Sequence, residues 1–185
     1  RLVSRGLGDV YKRQVTDRKN PKIIIESLET IDGDVSLEII GQTPNLKYLK
    51  ELNNLISSSK YSERITMTPF IEAEQLISKY ASANLFILPS KSEGLGRVII
   101  EAQATACPVL VSSNTGMVDL IIENETGYIF ENNNKNDLSN KIQYIMNNYE
   151  SALQTGLNSK NFIKENQSVA NFEFGYKKLI DLVSI

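Results

Sequence analysis

Apolar residues in this chain fall into two spacings that take turns. Leu85–Leu88 is a short unbroken apolar run with the length of a strand buried on both faces, and Val35–Ile40, Ile65–Phe70, 109–112 and 128–130 also read as strands. Between them the apolar positions recur at helical spacing. Ile24, Ile25, Leu28 and Ile31 form one such face. Leu46, Leu49, Leu52 and Leu55 or Ile56 form a second, over a helix predicted from Pro44 to about Ser58. Further helices are predicted over Glu72–Tyr80, from about Arg97, near Met117–Ile122 and over about Asp137–Asn147. The tail, roughly 151–183, reads as two helices separated near Asn166–Gln167. Strand and helix alternate throughout, which predicts an α/β fold with a doubly wound parallel sheet.

The punctuation agrees with this division. Pro21 suits the first position of a helix, with Asn20 before it as the cap. Asp32-Gly33-Asp34 reads as a turn, Pro89 ends the Leu85–Leu88 strand and Pro108 stops the helix that follows. The stretch from Asn84 to Leu110 is therefore a complete strand, loop, helix and strand, and the rest of the chain is arranged around it. In that helix Val98, Ile99, Ala102 and Ala106 are expected on one side. The first fourteen residues lack a period and are net basic. They resemble a translated adapter scar and are set outside the fold, which leaves 15–185 as the expected domain and the protein as a fragment of a longer one.

Composition narrows the chemistry. The 185 residues suit one domain, and a formal charge of −2 gives no basic surface for nucleic acid. No apolar run reaches the roughly 18–20 residues of a membrane span, and a single cysteine, Cys107, is expected as a small buried thiol in a reducing, cytoplasmic compartment. Histidine is absent, which removes every Ser–His or Cys–His triad and every His-ligated metal site. No Asp-x-Asp metal motif is counted, so no catalytic metal is expected.

The candidate chemistry lies where Ser90–Gly96 leads into the helix from Arg97. Gly94 and Gly96 leave backbone N–H groups open at a helix start, which favours an anion. Glu93 and Glu101 bracket that junction and can accept hydrogen bonds from hydroxyls. A ligand with both phosphate and hydroxyls, such as a sugar nucleotide, suits the combination. Each feature also has a plain structural reading. Glu93 can complement the helix dipole, Glu101 can pair with Arg97 four residues earlier, and the glycines can simply make a tight turn.

The string Ser92-Glu93-Gly94-Leu95-Gly96-Arg97-Val98-Ile99-Ile100-Glu101, with Cys107-Pro108-Val109 behind it, resembles the signature of retaining GT-B glycosyltransferases of family 4. The resemblance runs over roughly residues 15–150, through Ser113–Gly116 and Thr126–Phe130 downstream and Lys19-Asn20 and Leu37–Gly41 upstream. It implies the C-terminal, donor-binding half of such an enzyme. Glu93 would be the catalytic residue, contacting the donor sugar near the reacting carbon, and Glu101 would hold the ribose. Lys19, Gly94 and Gly96 would lie along the diphosphate, Phe70-Ile71 by the base, and Leu95 and Arg97 would also belong to the donor site. The arginine that usually precedes the lysine is replaced by Gln14, Cys107 stands where a glycine is usual before the proline, and Asp119 takes the place of a frequent Glu. The implied substrate is a nucleotide-diphosphate sugar, with no cofactor. The implied partner is a missing N-terminal domain, and the implied location is the cytoplasm, at the inner membrane face for the full-length protein. The fragment itself is expected to bind a nucleotide weakly and transfer nothing.

Other classes fit less well. A dinucleotide-dependent oxidoreductase requires a third glycine where Ile99 stands, and a non-hydrolysing sugar-nucleotide epimerase normally relies on a histidine. A nucleotide-binding module without catalysis is the alternative reading.

Overall fold

The computed structural model describes residues 2–5, 14–94 and 96–166. Six parallel strands form one sheet: β1 (Leu2–Arg5), β2 (Leu37–Ile40), β3 (Ile65–Thr68), β4 (Leu85–Leu88), β5 (Val109–Ser112) and β6 (Tyr128–Phe130), in the spatial order β3-β2-β1-β4-β5-β6. The chain runs outward from β1 to β3, then returns to place β4 beside β1. That reversal opens a crevice at the carboxyl ends of β1 and β4, the position at which doubly wound sheets bind ligands.

Strand alternation sorts the core into two layers. Leu37, Ile39, Leu85, Ile87, Leu110, Tyr128 and Phe130 face one cluster, together with α1 (Pro21–Leu28), α2 (Leu46–Ser58) and α5 (Lys135–Asn147). Ile40, Phe86, Leu88, Val109 and Val111 face the other, with α3 (Ala73–Ser82) and α4 (Arg97–Ala104). The period of two in each strand is thus read out on both faces of the sheet. Glu38 breaks the apolar pattern of β2. Its buried carboxylate is held by Lys79 of α3 through bonds of 2.8 and 2.9 Å, with the Thr68 hydroxyl at 3.1 Å. A buried carboxylate needs such partners. The last helix, α6 (Tyr149–Asn166), packs on α4 and α5. A side chain at Gly156 would place a Cβ 2.2 Å from the carbonyl oxygen of Ala106, so glycine permits that approach.

Several sequence expectations shift here. Leu2–Arg5, set outside the fold, forms β1 between β2 and β4. Four residues are too few for any period to show, but the sheet supplies a neighbour on each side. Leu46 is 79% exposed and not on the inward face of α2, which is carried by Tyr48, Leu52, Leu55 and Ile56. As the first residue of α2, Leu46 points off that stripe. The Met117–Ile122 helix contracts to a 3-10 turn at Val118–Leu120. Residues beyond 166, including the second expected tail helix, lie outside the described residues.

Helix α4 ends differently from expectation. Ala106 is not on the helix face but just beyond it, with a φ of 61°. The Ala106 N–H donates to the carbonyl of Gln103 at 2.9 Å, and the Cys107 N–H to that of Ala102 at 3.2 Å. This is the Schellman pair of bonds around a left-handed residue, the position that ordinarily favours glycine. The glycine-preferring position before Pro108 is therefore Ala106, and not Cys107. Burial pushes the Cys107 thiol up to about 12, in keeping with an inert core residue.

Candidate active site

A 3-10 turn, Asp17–Lys19, follows β1 in sequence, and the Pro89–Gly96 loop follows β4. They meet at the crevice. The Lys91 N–H donates to the Arg18 carbonyl at 2.9 Å, and Lys91 Nζ reaches both oxygens of Asp17 at 2.8 Å. These contacts bring together residues 74 positions apart, Lys19 and Glu93. The Lys19 ammonium donates to Glu93 Oε2. Its side chain is 3% exposed and that of Glu93 8%. Ser90 Oγ donates to the same carboxylate oxygen at 3.4 Å, and Arg18 Nη1 stands 3.9 Å from it.

The pair is neutral as a unit, which is why it can be buried at all. Burial still dominates at Lys19. It holds the ammonium below its ordinary value, while the hydrogen bond and charge of Glu93 pull the other way and Arg18 adds to the lowering.

The two glycines differ in kind. A Cβ added at Gly94 would meet nothing within 4 Å, so this backbone faces open space. At Gly96 it would come 2.9 Å from Ile99 Cδ1 and 3.3 Å from Thr115 Cγ2, so Gly96 is a packing requirement at the start of α4. A third glycine, Gly116, lies so close behind the loop that a Cβ there would sit 1.9 Å from the Gly94 carbonyl oxygen. Its N–H donates to the Glu93 carbonyl at 2.7 Å, and Glu93 and Thr115 form a parallel bridge. Between the two loops runs a groove of about 360 Å3, lined by Ser92, Glu93, Gly94 and Ser113–Gly116.

Arg97 stands exposed at the first position of α4 and makes no ion pair among the described residues. The Arg97–Glu101 pair open to the sequence is thus not formed. Glu101 instead accepts from the buried Tyr80 hydroxyl at 3.3 Å, and Tyr80 is itself locked edge-on against Phe86 at 5.3 Å. Phe70 is 59% exposed beyond the end of β3, while Ile71 is half-buried against the α3–α4 layer. Leu95 lies outside the described residues.

Contrary to the expectation from sequence, an Asp-x-Asp string is present, at Asp32-Gly33-Asp34. It precedes the amino end of β2, across the sheet from the crevice, with Asp34 paired to Arg64. No group of three or more metal-ligating residues occurs among the described residues. No helix there is long and apolar enough to cross a membrane.

The second wall of the groove, Ser113–Gly116, lies within the stretch over which the resemblance runs; what sequence reasoning missed is the backing of the Glu93 loop by the side chains of Asn114 and Asn132. Their only signal was a cluster of small polar residues after β5 and β6, indistinguishable from ordinary loop composition.

The sheet order, the crevice and the loop-to-helix junction define a Rossmann-like half of the GT-B fold, and comparison with known proteins agrees. The family described as glycosyl transferases group 1 matches residues 10–162, and the chain belongs to it. An uncharacterized glycosyltransferase of Methanocaldococcus jannaschii is 30% identical over 150 residues, covering 80% of this chain and 40% of the relative. The capsular polysaccharide biosynthesis glycosyltransferase CapM of Staphylococcus aureus is 31% identical over 144 residues, 74% of this chain and 36% of CapM. The chain thus spans about two-fifths of the curated relatives it matches. Among solved structures, Anabaena HepE in complex with UDP and glucose superposes with a TM-score of 0.82 at 20% identity, over 100% of this chain and 48% of HepE. The C-terminal domain of the group 1 protein LpcC from Francisella tularensis gives 0.80 at 20% identity, over 91% of this chain and 86% of that domain.

Proposed function

We propose that this chain is the donor-binding domain of a retaining glycosyltransferase that moves a sugar from a nucleotide-diphosphate sugar to a glycan, lipid or small-molecule acceptor. The observation that carries the reading is the buried Lys19–Glu93 pair at the β1/β4 crevice, beside a groove between the Glu93 loop and Ser113–Gly116. Two further findings support it. The matched domain of LpcC is a C-terminal domain, and HepE was solved with UDP and glucose. CapM, named for capsular polysaccharide biosynthesis, makes a glycan acceptor the first class to test.

Each residue then has a task. The open N–H groups at the start of α4, with Arg97, receive the diphosphate. Glu101, oriented by Tyr80, accepts from the ribose hydroxyls, and Ile71 lies toward the base. In the free chain Lys19 and Glu93 neutralise each other. A bound donor supplies both replacements at once, phosphate oxygens for the ammonium and sugar hydroxyls for the carboxylate. Lys19 is then the fixed cation that stabilises negative charge on the departing diphosphate. Glu93 is the acidic residue nearest the sugar, which occupies the groove.

Calorimetric titration with UDP, GDP and their sugar conjugates, repeated on Glu101→Ala, tests this. Saturable binding of one nucleotide, weakened about tenfold or more by the substitution, supports the reading. Absence of binding by every nucleotide, or binding indifferent to Glu101, contradicts it.

A further inference from the structure

The asparagine-rich stretch after β6 lines neither the groove nor the Lys19–Glu93 pair, yet it backs the Glu93 loop. Its side chains point back into the structure. Asn132 Nδ2 donates to the Lys91 carbonyl at 3.2 Å, while its Oδ1 accepts from the fully buried Ser112 hydroxyl at 3.0 Å and its own N–H donates to Ser113 Oγ at 3.0 Å. Asn114 Nδ2 donates to the same Lys91 carbonyl at 2.6 Å. One peptide oxygen, two residues before Glu93, is thus held by two amides from two different strand ends. Beside it, Asn20 Nδ2 meets Asn133 Oδ1 at 3.4 Å, and both residues are left-handed, with φ of 52° and 58°.

We propose that Asn114 and Asn132 are positioning residues for the Glu93 loop. Their joint grip on Lys91 sets the height of Glu93 and Gly94 above the sheet, and so the sugar-facing geometry of the site. A carbonyl has two lone pairs, and here both are taken by donors anchored to β5 and β6. The N–H of the same residue, in the preceding peptide group, donates to the carbonyl of Arg18, next to Lys19. The backbone of Lys91 is therefore the joint through which β5 and β6 locate the carboxylate and β1's following turn locates the ammonium. Held this way, the loop is ordered before a ligand arrives, which lowers the entropy cost of binding. The functional part of this proposal rests on the donor-binding reading; the structural part does not.

The test uses the isosteric substitutions Asn132→Asp and Asn114→Asp. Each keeps the size and the acceptor oxygen and replaces the amide donor with an oxygen facing the Lys91 carbonyl. Amide hydrogen exchange is followed by NMR in the ligand-free chain at Lys91 and Gly116, whose N–H groups bond to Arg18 and Glu93. Exchange there should accelerate roughly fivefold to tenfold in either variant, with amides of β2 and β3 unchanged. Unchanged exchange at both amides, or acceleration spread evenly through the sheet, overturns the proposal. A second readout is the ratio of the Kd of UDP to that of UDP-glucose, and likewise GDP against GDP-mannose. A clamp on the sugar-facing loop lowers this ratio about fivefold or more in Asn132→Asp, a residue outside the groove lining, while the bare nucleotide binds as before. A merely structural role would weaken conjugate and nucleotide together, and that result also overturns the proposal. If the unsubstituted chain binds none of these ligands, the donor reading fails, and the exchange at Lys91 and Gly116 alone decides the clamp.

Discussion

Replacing Lys19 by Met keeps an unbranched side chain of similar length and removes the charge. Glu93, its carboxylate side chain 8% exposed, then keeps only the Ser90 hydroxyl at 3.4 Å and the half-exposed Arg18 at 3.9 Å. Orphaning one member of a buried pair costs about 3–5 kcal/mol. A Coulomb estimate agrees: at about 3 Å and an effective dielectric near 20 the attraction is roughly 5 kcal/mol. Arg18 can swing closer and recover part of it, so the expected loss lies near the lower figure, about 3 kcal/mol. For a domain of this size that lowers Tm by roughly 6–12 °C. Glu93→Gln should cost a similar amount, because it orphans the 3%-exposed ammonium. Joining the two substitutions replaces a buried ion pair by a neutral one, and the double variant should recover about 2 kcal/mol or more of the summed losses. The assay is urea denaturation of the four proteins, with equal m-values as the check that the unfolded state is unchanged. Single losses below about 1 kcal/mol, or strict additivity in the double variant, would refute the view that the pair is buried and coupled.

Three other outcomes follow from the backbone and the core. Ala106→Gly should stabilise the chain by about 0.5–1 kcal/mol, since a left-handed alanine costs about 1–2 kcal/mol and glycine's added chain entropy offsets part of the gain; a loss of stability in denaturant melts would contradict the Schellman assignment. Gly116→Ala drives a Cβ against the Gly94 carbonyl and should cost about 2–4 kcal/mol, with amide shift changes centred on residues 93–96; a neutral result would mean that the two loops are not in contact. With its thiol pushed up to about 12, Cys107 should react with iodoacetamide at pH 8 on the order of a thousandfold slower in the folded chain than in urea, where an ordinary thiol is partly ionised. Labelling at comparable rates in both states would place Cys107 at the surface.

Strands β4 and β5, the helix between them, the buried face of α1 and the span of α5 were legible in the sequence, because each is a local pattern bounded by proline or a turn. What was not legible is what depends on distance. Strand β1 has four residues and no pattern of its own, and it exists through its two neighbours. Leu46 looked like a core leucine because its spacing to Leu49 is helical, yet the stripe that meets the sheet runs through Tyr48 and Leu52. The carboxylates were found as a pair along the chain, Glu93 with Glu101. The pairs formed in the structure are Lys19 with Glu93 and Tyr80 with Glu101, joined across 74 and 21 residues, and no local spacing encodes them. Asn114 and Asn132 were invisible for the same reason, since a loop asparagine reads the same whether it meets water or a carbonyl.

The donor-binding reading places a sugar nucleotide in the β1/β4 crevice, along the start of α4. Its most direct test is amide chemical-shift mapping of the 185-residue chain with UDP-glucose and, in parallel, GDP-mannose. The account predicts that one of them shifts the amides of Lys19, Ile71, Glu93–Arg97 and Glu101 together, with the Lys19 and Glu93 signals moving further for the conjugate than for the bare nucleotide. Shifts confined to another face of the sheet, or none with either ligand at millimolar concentration, would contradict it.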